Sequence, residues 1–189
     1  MKRLLAGFAV ALSLATSGAN AISTPTVADN GNVVDTLFST PGLLAIDVRF
    51  LSTAPVAATF TLDAADVGSS IGFNSILSEI SGGGFQALSL SLSTGATFTL
   101  GTIAAIDGST PLALLDPAGA RAVVTPLAGL DEIYLGDPFV GGGTDWAIRF
   151  TQLNAGDPVT LTITPVPEPS ALILLVCGLG ILSVARRLA

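Results

Sequence analysis

Residues 88–100, Leu-Ser-Leu-Ser-Leu-Ser-Thr-Gly-Ala-Thr-Phe-Thr-Leu, decide the fold. Leu88, Leu90 and Leu92 alternate with Ser89, Ser91 and Ser93; after Thr94-Gly95, Ala96, Phe98 and Leu100 alternate with Thr97 and Thr99. A period of two, with small hydroxyl side chains opposite apolar ones, describes a sheet with one dry and one wet face. The Thr94-Gly95 step between the two runs predicts a hairpin of antiparallel neighbours.

The same pattern extends in both directions. Upstream, Ile46, Val48 and Phe50 alternate with Asp47 and Arg49, and Val56, Ala58, Phe60 and Leu62 alternate with Ala57, Thr59 and Thr61. Thr53-Ala54-Pro55 bends the chain between them, so these too read as neighbouring antiparallel strands. A short edge strand is expected around Val33 to Phe38. Residues 63–81 are ambiguous: Ile71-Gly72-Phe73 can open a strand, while Ser75 to Ile80 reads as a helical turn. Downstream, Asp107-Gly108 marks a turn, and Ala120 to Pro126 and Ile133 to Leu135 are short strand candidates. Trp146, Ile148 and Phe150 point inward against Asp145, Arg149 and Thr151. After the turn Asn154 to Pro158, Val159, Leu161 and Ile163 alternate with Thr160, Thr162 and Thr164. Short strands separated by Gly, Pro and Asp turns predict an all-β fold, an antiparallel β-sandwich of jelly-roll-like form, with an open barrel as the alternative.

The two ends differ from this middle. Lys2 and Arg3, the apolar stretch Leu4 to Ala15, and Ala19-Asn20-Ala21 read as a secretory signal peptide over 1–21, with cleavage at Ala19 and Ala21. The domain then covers 22–164. Pro165-Val166-Pro167-Glu168-Pro169 opens a tail over 165–189. Three prolines fix φ and remove amide donors, so an extended, accessible stalk is expected. Residues 170–185 carry no charge; as a helix they reach roughly 24 Å, a little short of a bilayer core. Arg186 and Arg187 can snorkel to the interface and mark the cytoplasmic side. A single transmembrane helix over 170–185 is therefore predicted, serving as a sorting signal or, alternatively, as a permanent single-span anchor; a buried core helix is the remaining alternative.

This tail resembles the PEP-CTERM sorting signal of exported bacterial proteins, on Val166, Pro167, Glu168, Pro169 and Ser170, the apolar run to Ala185, and Arg186-Arg187. The resemblance covers about one seventh of the chain. It implies processing near Pro167-Glu168-Pro169 by an exosortase, a membrane-embedded cysteine transpeptidase-like enzyme. It further implies passage through the secretion translocon past signal peptidase, transient inner-membrane anchoring, and then a place on the surface or outside a Gram-negative cell. Exopolysaccharide as a partner and a biofilm matrix as the setting are implied by the resemblance alone.

Charge and composition narrow the chemistry. All 14 acidic residues lie within 22–169, against three basic ones, Arg49, Arg121 and Arg149, giving a formal charge near −11. Such a domain repels nucleic acid and anionic headgroups. It has no His and no Lys to serve as a base, and the only cysteine, Cys177, sits in the apolar tail, so serine or thiol hydrolysis and Cys/His metal sites lack their parts. No cofactor and no catalytic residue is expected, and the chain reads as a non-enzyme. Gly82-Gly83-Gly84 and Gly141-Gly142-Gly143 read as flexible loops. Two rivals stay open. A carbohydrate-binding module would expose Trp146 or Tyr134, although Trp146 shares a face with Ile148 and Phe150 and reads as core. A hydrolase, or a calcium site, would draw on Asp131, Glu132 and Asp137, with Asp131 or Glu132 converging on Asp145. Asp63 and Asp66 read as turn formers.

Overall fold

The computed structural model describes residues 23–79, 86–125 and 130–166. In chain order the strands are β1 (Thr26–Ala28), β2 (Val33–Asp35), β3 (Leu43–Ala45), β4 (Asp47–Phe50) and β5 (Val56–Thr61). Then come β6 (Ser70–Glu79), β7 (Ala87–Leu92), β8 (Ala96–Thr99), β9 (Ile103–Ala105) and β10 (Leu112–Leu115). The last are β11 (Arg121–Thr125), β12 (Glu132–Leu135), β13 (Trp146–Phe150) and β14 (Pro158–Val166). Among the described residues there is no helix, and so none long and apolar enough to cross a membrane. The signal-peptide and tail assignments, with Ala19, Ala21, Pro167, Glu168, Pro169, Arg186 and Arg187, fall outside the described residues, as does Gly82-Gly83-Gly84.

The first sheet is antiparallel throughout, in the order β1-β5-β14-β7-β11-β10. The second is built on β6, ten residues long. Along one side of β6 run β3 and β4, end to end and parallel to it; along the other run β13, opposite residues 70–73, and β12, opposite 75–78. β8 and β9 follow in turn on β13 and β12, and β2 closes the far edge on β4. The eight strands of this sheet thus lie on five tracks.

The alternating residues point where their period requires. Ile46, Val48, Phe50, Val56, Ala58, Phe60, Leu88, Leu90, Val159, Leu161 and Ile163 are all buried in one core shared by the two sheets. Phe60 meets Phe150 edge-on across the layers at 6.2 Å. Trp146 packs edge-on against Phe98 at 5.9 Å and Phe73 at 6.3 Å, with its indole N–H donating to the Thr102 carbonyl at 3.0 Å.

Pairing, in contrast, differs from expectation. The 88–100 stretch is not a hairpin: β7 bonds to β14 and β11 in the first sheet, while β8 bonds to β13 in the second. Thr94-Gly95 is an arch that carries the chain across the core. Gly95 makes it at φ +91°, where a side chain would be strained. Likewise Thr53-Ala54-Pro55 joins β4 to β5 in the opposite sheet, not to a neighbour. Two arches in succession, through β5 of the first sheet, return the chain to the second sheet in its original direction, which is why β4, like β3 before it, runs parallel to β6 while the other pairings are antiparallel.

Two further expectations are corrected, and one strand is added. Ser75 to Ile80 is no helical turn: up to Glu79 it belongs to β6. Leu112–Leu115 forms an edge strand that its sequence, without alternation, does not announce. Pro165 is not free stalk but a buried residue of β14, opposite Leu88 in the middle of the first sheet. Its missing N–H is harmless there. Thr160 bonds Ser93 on the β7 side, so odd-numbered residues direct their amides toward β5, and β5 begins only at Val56, opposite Ile163.

Because Trp146 is wholly buried, Trp146→Ala should destabilise the domain by about 3–5 kcal/mol in chemical denaturation.

Candidate functional site

The tracks beside β6 break at one common level, opposite Asn74 and Ser75. On one side β3 gives way to β4 at Ile46. There the Ile46 amide donates to the Asn74 carbonyl at 3.2 Å and the Ser75 hydroxyl donates to the Ile46 carbonyl. The Ile76 amide turns instead to the Asp47 carboxylate, at 2.8 Å. Side chains thus replace the ladder where the backbone slips. Asn74 and Ser75 are buried polar residues for this reason.

On the other side the chain leaves the sheet at Gly136 and returns at Asp145. Gly136 has φ +73°, and a Cβ on it would lie 2.8 Å from Asn74 Cβ and 2.9 Å from Asp145 Oδ1, so only glycine fits. The third track breaks at the same level. Thr102 accepts from the Gly136 amide at 2.9 Å, donates its own amide to Thr144 at 2.8 Å, and receives the Thr144 amide on its hydroxyl at 2.8 Å.

The excursion between Gly136 and Asp145 is stapled from within. Asp145 Oδ1 accepts the Asp137 amide at 2.9 Å and the Asn74 side-chain amide at 3.2 Å. The Asp137 carboxylate receives the amides of Gly141 at 2.7 Å and Gly142 at 2.9 Å. The glycine run expected to be a flexible loop is therefore tied down at two of its three residues. Its tip displays Phe139, 64 % exposed, and Val140, 91 % exposed and at φ +54°. Phe139 leans edge-on against Tyr134 at 5.1 Å. Beneath lies a cleft of about 330 Å³ lined by Phe38, Leu43, Asn74, Asp137, Val140 and Asp145.

A second, acidic groove of about 320 Å³ runs beside the first, over Asp35, Asp47, Arg49 and Glu132. Burial raises the Asp47 carboxyl above its ordinary value, against the lowering effect of the Ile76 amide, and the charges of Asp35 and Glu132 raise it further. The Tyr134 hydroxyl donates to Glu132 at 2.5 Å, and this bond, with burial and the carboxylate charge, pushes the phenol up to about 12. Glu79 is raised by burial and by neighbouring Asp131.

The acidic residues singled out in the sequence are thus distributed over three places. Glu132 lies with Asp35 and Asp47, Asp131 beside Glu79, and Asp137 with Asp145. Asp145 and Glu132 line separate clefts. No group of three or more His, Cys, Asp or Glu able to hold a metal occurs among the described residues. Asp63 and Asp66 do form a turn, the Asp63 amide reaching Asp66 Oδ2 at 2.9 Å. Trp146 is core, whereas Tyr134 is half-buried on the outer surface with Phe139. Sequence reasoning missed Asn74, Asp35, Asp47 and Phe139; an Asn-Ser pair inside an apolar strand was the available signal for the first.

No family model, no curated protein and no solved structure matches this chain.

Asp145→Ala removes the acceptor of two amides. It should cost about 1–3 kcal/mol, and limited proteolysis should then cut within 136–144. Asp47 presents the opposite case. A carboxyl with a raised native value binds its proton more tightly folded than unfolded, so its contribution favours folding at low pH and is lost as pH rises through the folded value. Asp47→Asn keeps the acceptor for Ile76 and removes the repulsion. It should raise stability at pH 7 by on the order of 0.5 kcal/mol, the open groove screening the charges, and the gain should vanish near pH ~3 in parallel thermal melts.

Proposed function

We propose that the chain is an exported cell-envelope protein whose C-terminal segment is a sorting tail, and that its β domain is a non-catalytic component of the extracellular or biofilm matrix. The observation that carries this reading is the tail itself: Pro167-Glu168-Pro169, the uncharged run 170–185 and Arg186-Arg187 occur in that order. The resemblance to PEP-CTERM tails supplies the partner, an exosortase acting beside Pro167-Glu168-Pro169. The signal-peptide pattern ending at Ala19 and Ala21 supplies the route, through the translocon and across the inner membrane.

The domain is compatible with this division of labour. β14, the last described strand, carries the sheet to Val166, directly before Pro167. The named core residues and those packed on them lie between Val27 and Ile163. The arch-linked sheets read as a jelly-roll-like sandwich, a scaffold whose Asp137 and Asp145 carboxylates are engaged in holding a loop.

Intact-mass analysis of the protein from its host, with and without the exosortase, tests the proposal. The tail mass, including Arg186 and Arg187, should be missing in the first strain and present in the second. Full-length chains in cells with intact sorting machinery would instead make this a permanently tethered protein.

A further inference from the structure

β10 is the one sheet edge among the described residues that is both long enough to pair and left bare. The other edges are blunted. β1 spans three residues after Pro25, and β2 carries Asp35. β8 gives its Phe98 amide to the Gly119 carbonyl at 2.7 Å, and β9 gives its Ala105 amide to Ser109 at 3.0 Å. β10 reads Leu-Ala-Leu-Leu without a charge. Leu112 and Leu114 are 59 % and 57 % exposed, on the outer face where Thr125 and Val123 of β11 stand opposite them and Ser89 and Ser91 of β7 lie beyond.

The hydrogen-bond phase of this edge is set by its inner partner. The Asp116 amide donates to the Arg121 carbonyl at 2.9 Å, so in the β10–β11 ladder Leu114 and Leu112 bond inward, opposite Val123 and Thr125. The N–H and C=O groups of Ala113 and Leu115 therefore point away from the sheet. We infer that β10 is a self-association edge, pairing antiparallel with β10 of a second copy about a two-fold axis through Leu114.

In that register Ala113 of each copy exchanges both backbone bonds with Leu115 of the other, because these are the residues whose groups point outward. Leu114 faces Leu114 as a non-bonded pair, the closer kind, and the two bury each other's exposed side chains. Pro111 and Pro117 stand three residues before and after Leu114, so in a symmetric pair the positions without an amide donor fall opposite one another. A longer foreign strand would meet Pro111 at one end and, at the other, the turn in which Gly119 bonds back to Asp116. A copy of this edge has the same limits and is the occupant that fits. Leu112 of one copy lies opposite Asp116 of the other, which keeps like charges apart at the contact.

The test uses the full chain in detergent micelles. In a Cys177→Ser background, Leu114→Cys should form a disulfide-linked dimer under mild oxidation, since a non-bonded antiparallel pair places Cα atoms about 4.5 Å apart, within disulfide range. Leu112→Cys should not, because its counterpart is displaced along the strand. Leu114→Lys should raise the dimer dissociation constant at least about tenfold in sedimentation velocity while leaving the melting temperature unchanged, Leu114 being a surface residue of the monomer. A chain that stays monomeric at about 100 µM, well into the range of weak protein association, overturns the inference. So does a dimer indifferent to Leu114→Lys, which would have formed through another surface, or one cross-linked by Leu112→Cys in preference.

Discussion

A ten-residue strand that never breaks, flanked by tracks that all do, is the constraint on which the second sheet depends. Ser70–Glu79 supplies a continuous ladder, and Asn74 and Ser75 lie where its neighbours slip. Buried backbone groups at such a slip need partners, since an unpaired amide or carbonyl costs about 1–3 kcal/mol. The side chains of Asp47, Ser75, Asp145 and Thr102 provide them, and the Asn74 side-chain amide steadies Asp145 in turn. The polar residues at this level are thereby explained as ladder repairs before any other role is asked of them.

Those repairs also make room. Once Gly136 and Asp145 are pinned beside Asn74, the intervening chain can leave the sheet without unravelling it. The result is an exposed apolar tip, Phe139 and Val140, on a stapled loop over a cleft in which Asn74, Asp137 and Asp145 meet Phe38 and Leu43. Rigid sheets that carry protruding loops are the usual division between scaffold and contact surface. Here the tip and the acidic groove of Asp35, Asp47 and Glu132 lie on either side of Tyr134, which touches both through Phe139 and Glu132.

Much of this was legible in the sequence, and the exceptions share one physical cause. Alternation reports which side of a strand is dry, and it placed Phe50, Phe60, Leu90, Trp146 and Ile163 in the core correctly. It does not report whether the next strand lies beside or across. In both a hairpin and an arch the apolar faces meet the same core, so the 88–100 and 46–62 stretches could not be told apart by period alone. β10 escaped because an edge strand with Leu on both faces has no period to detect. Residues 75–79 escaped because Asn74 and Ser75 interrupt the apolar run, which reads as a change of structure instead of a strand crossing a seam. The site was less legible than the fold: Asp137 and Asp145 lie eight positions apart in sequence but join through a single amide, and the Asn-Ser pair that marks Asn74 in its apolar strand does not say that it meets them.

Val166 closes the strand that lies between β5 and β7, and this geometry has a mechanical side. A tension applied at that residue runs along β14, while the hydrogen bonds that hold the strand lie across the pull, on both flanks. They would have to yield together in shear. A strand at the rim, pulled outward, would peel away one pair at a time. Whatever is fastened beyond Val166, the domain is gripped at the place in its first sheet where dragging out a strand is hardest.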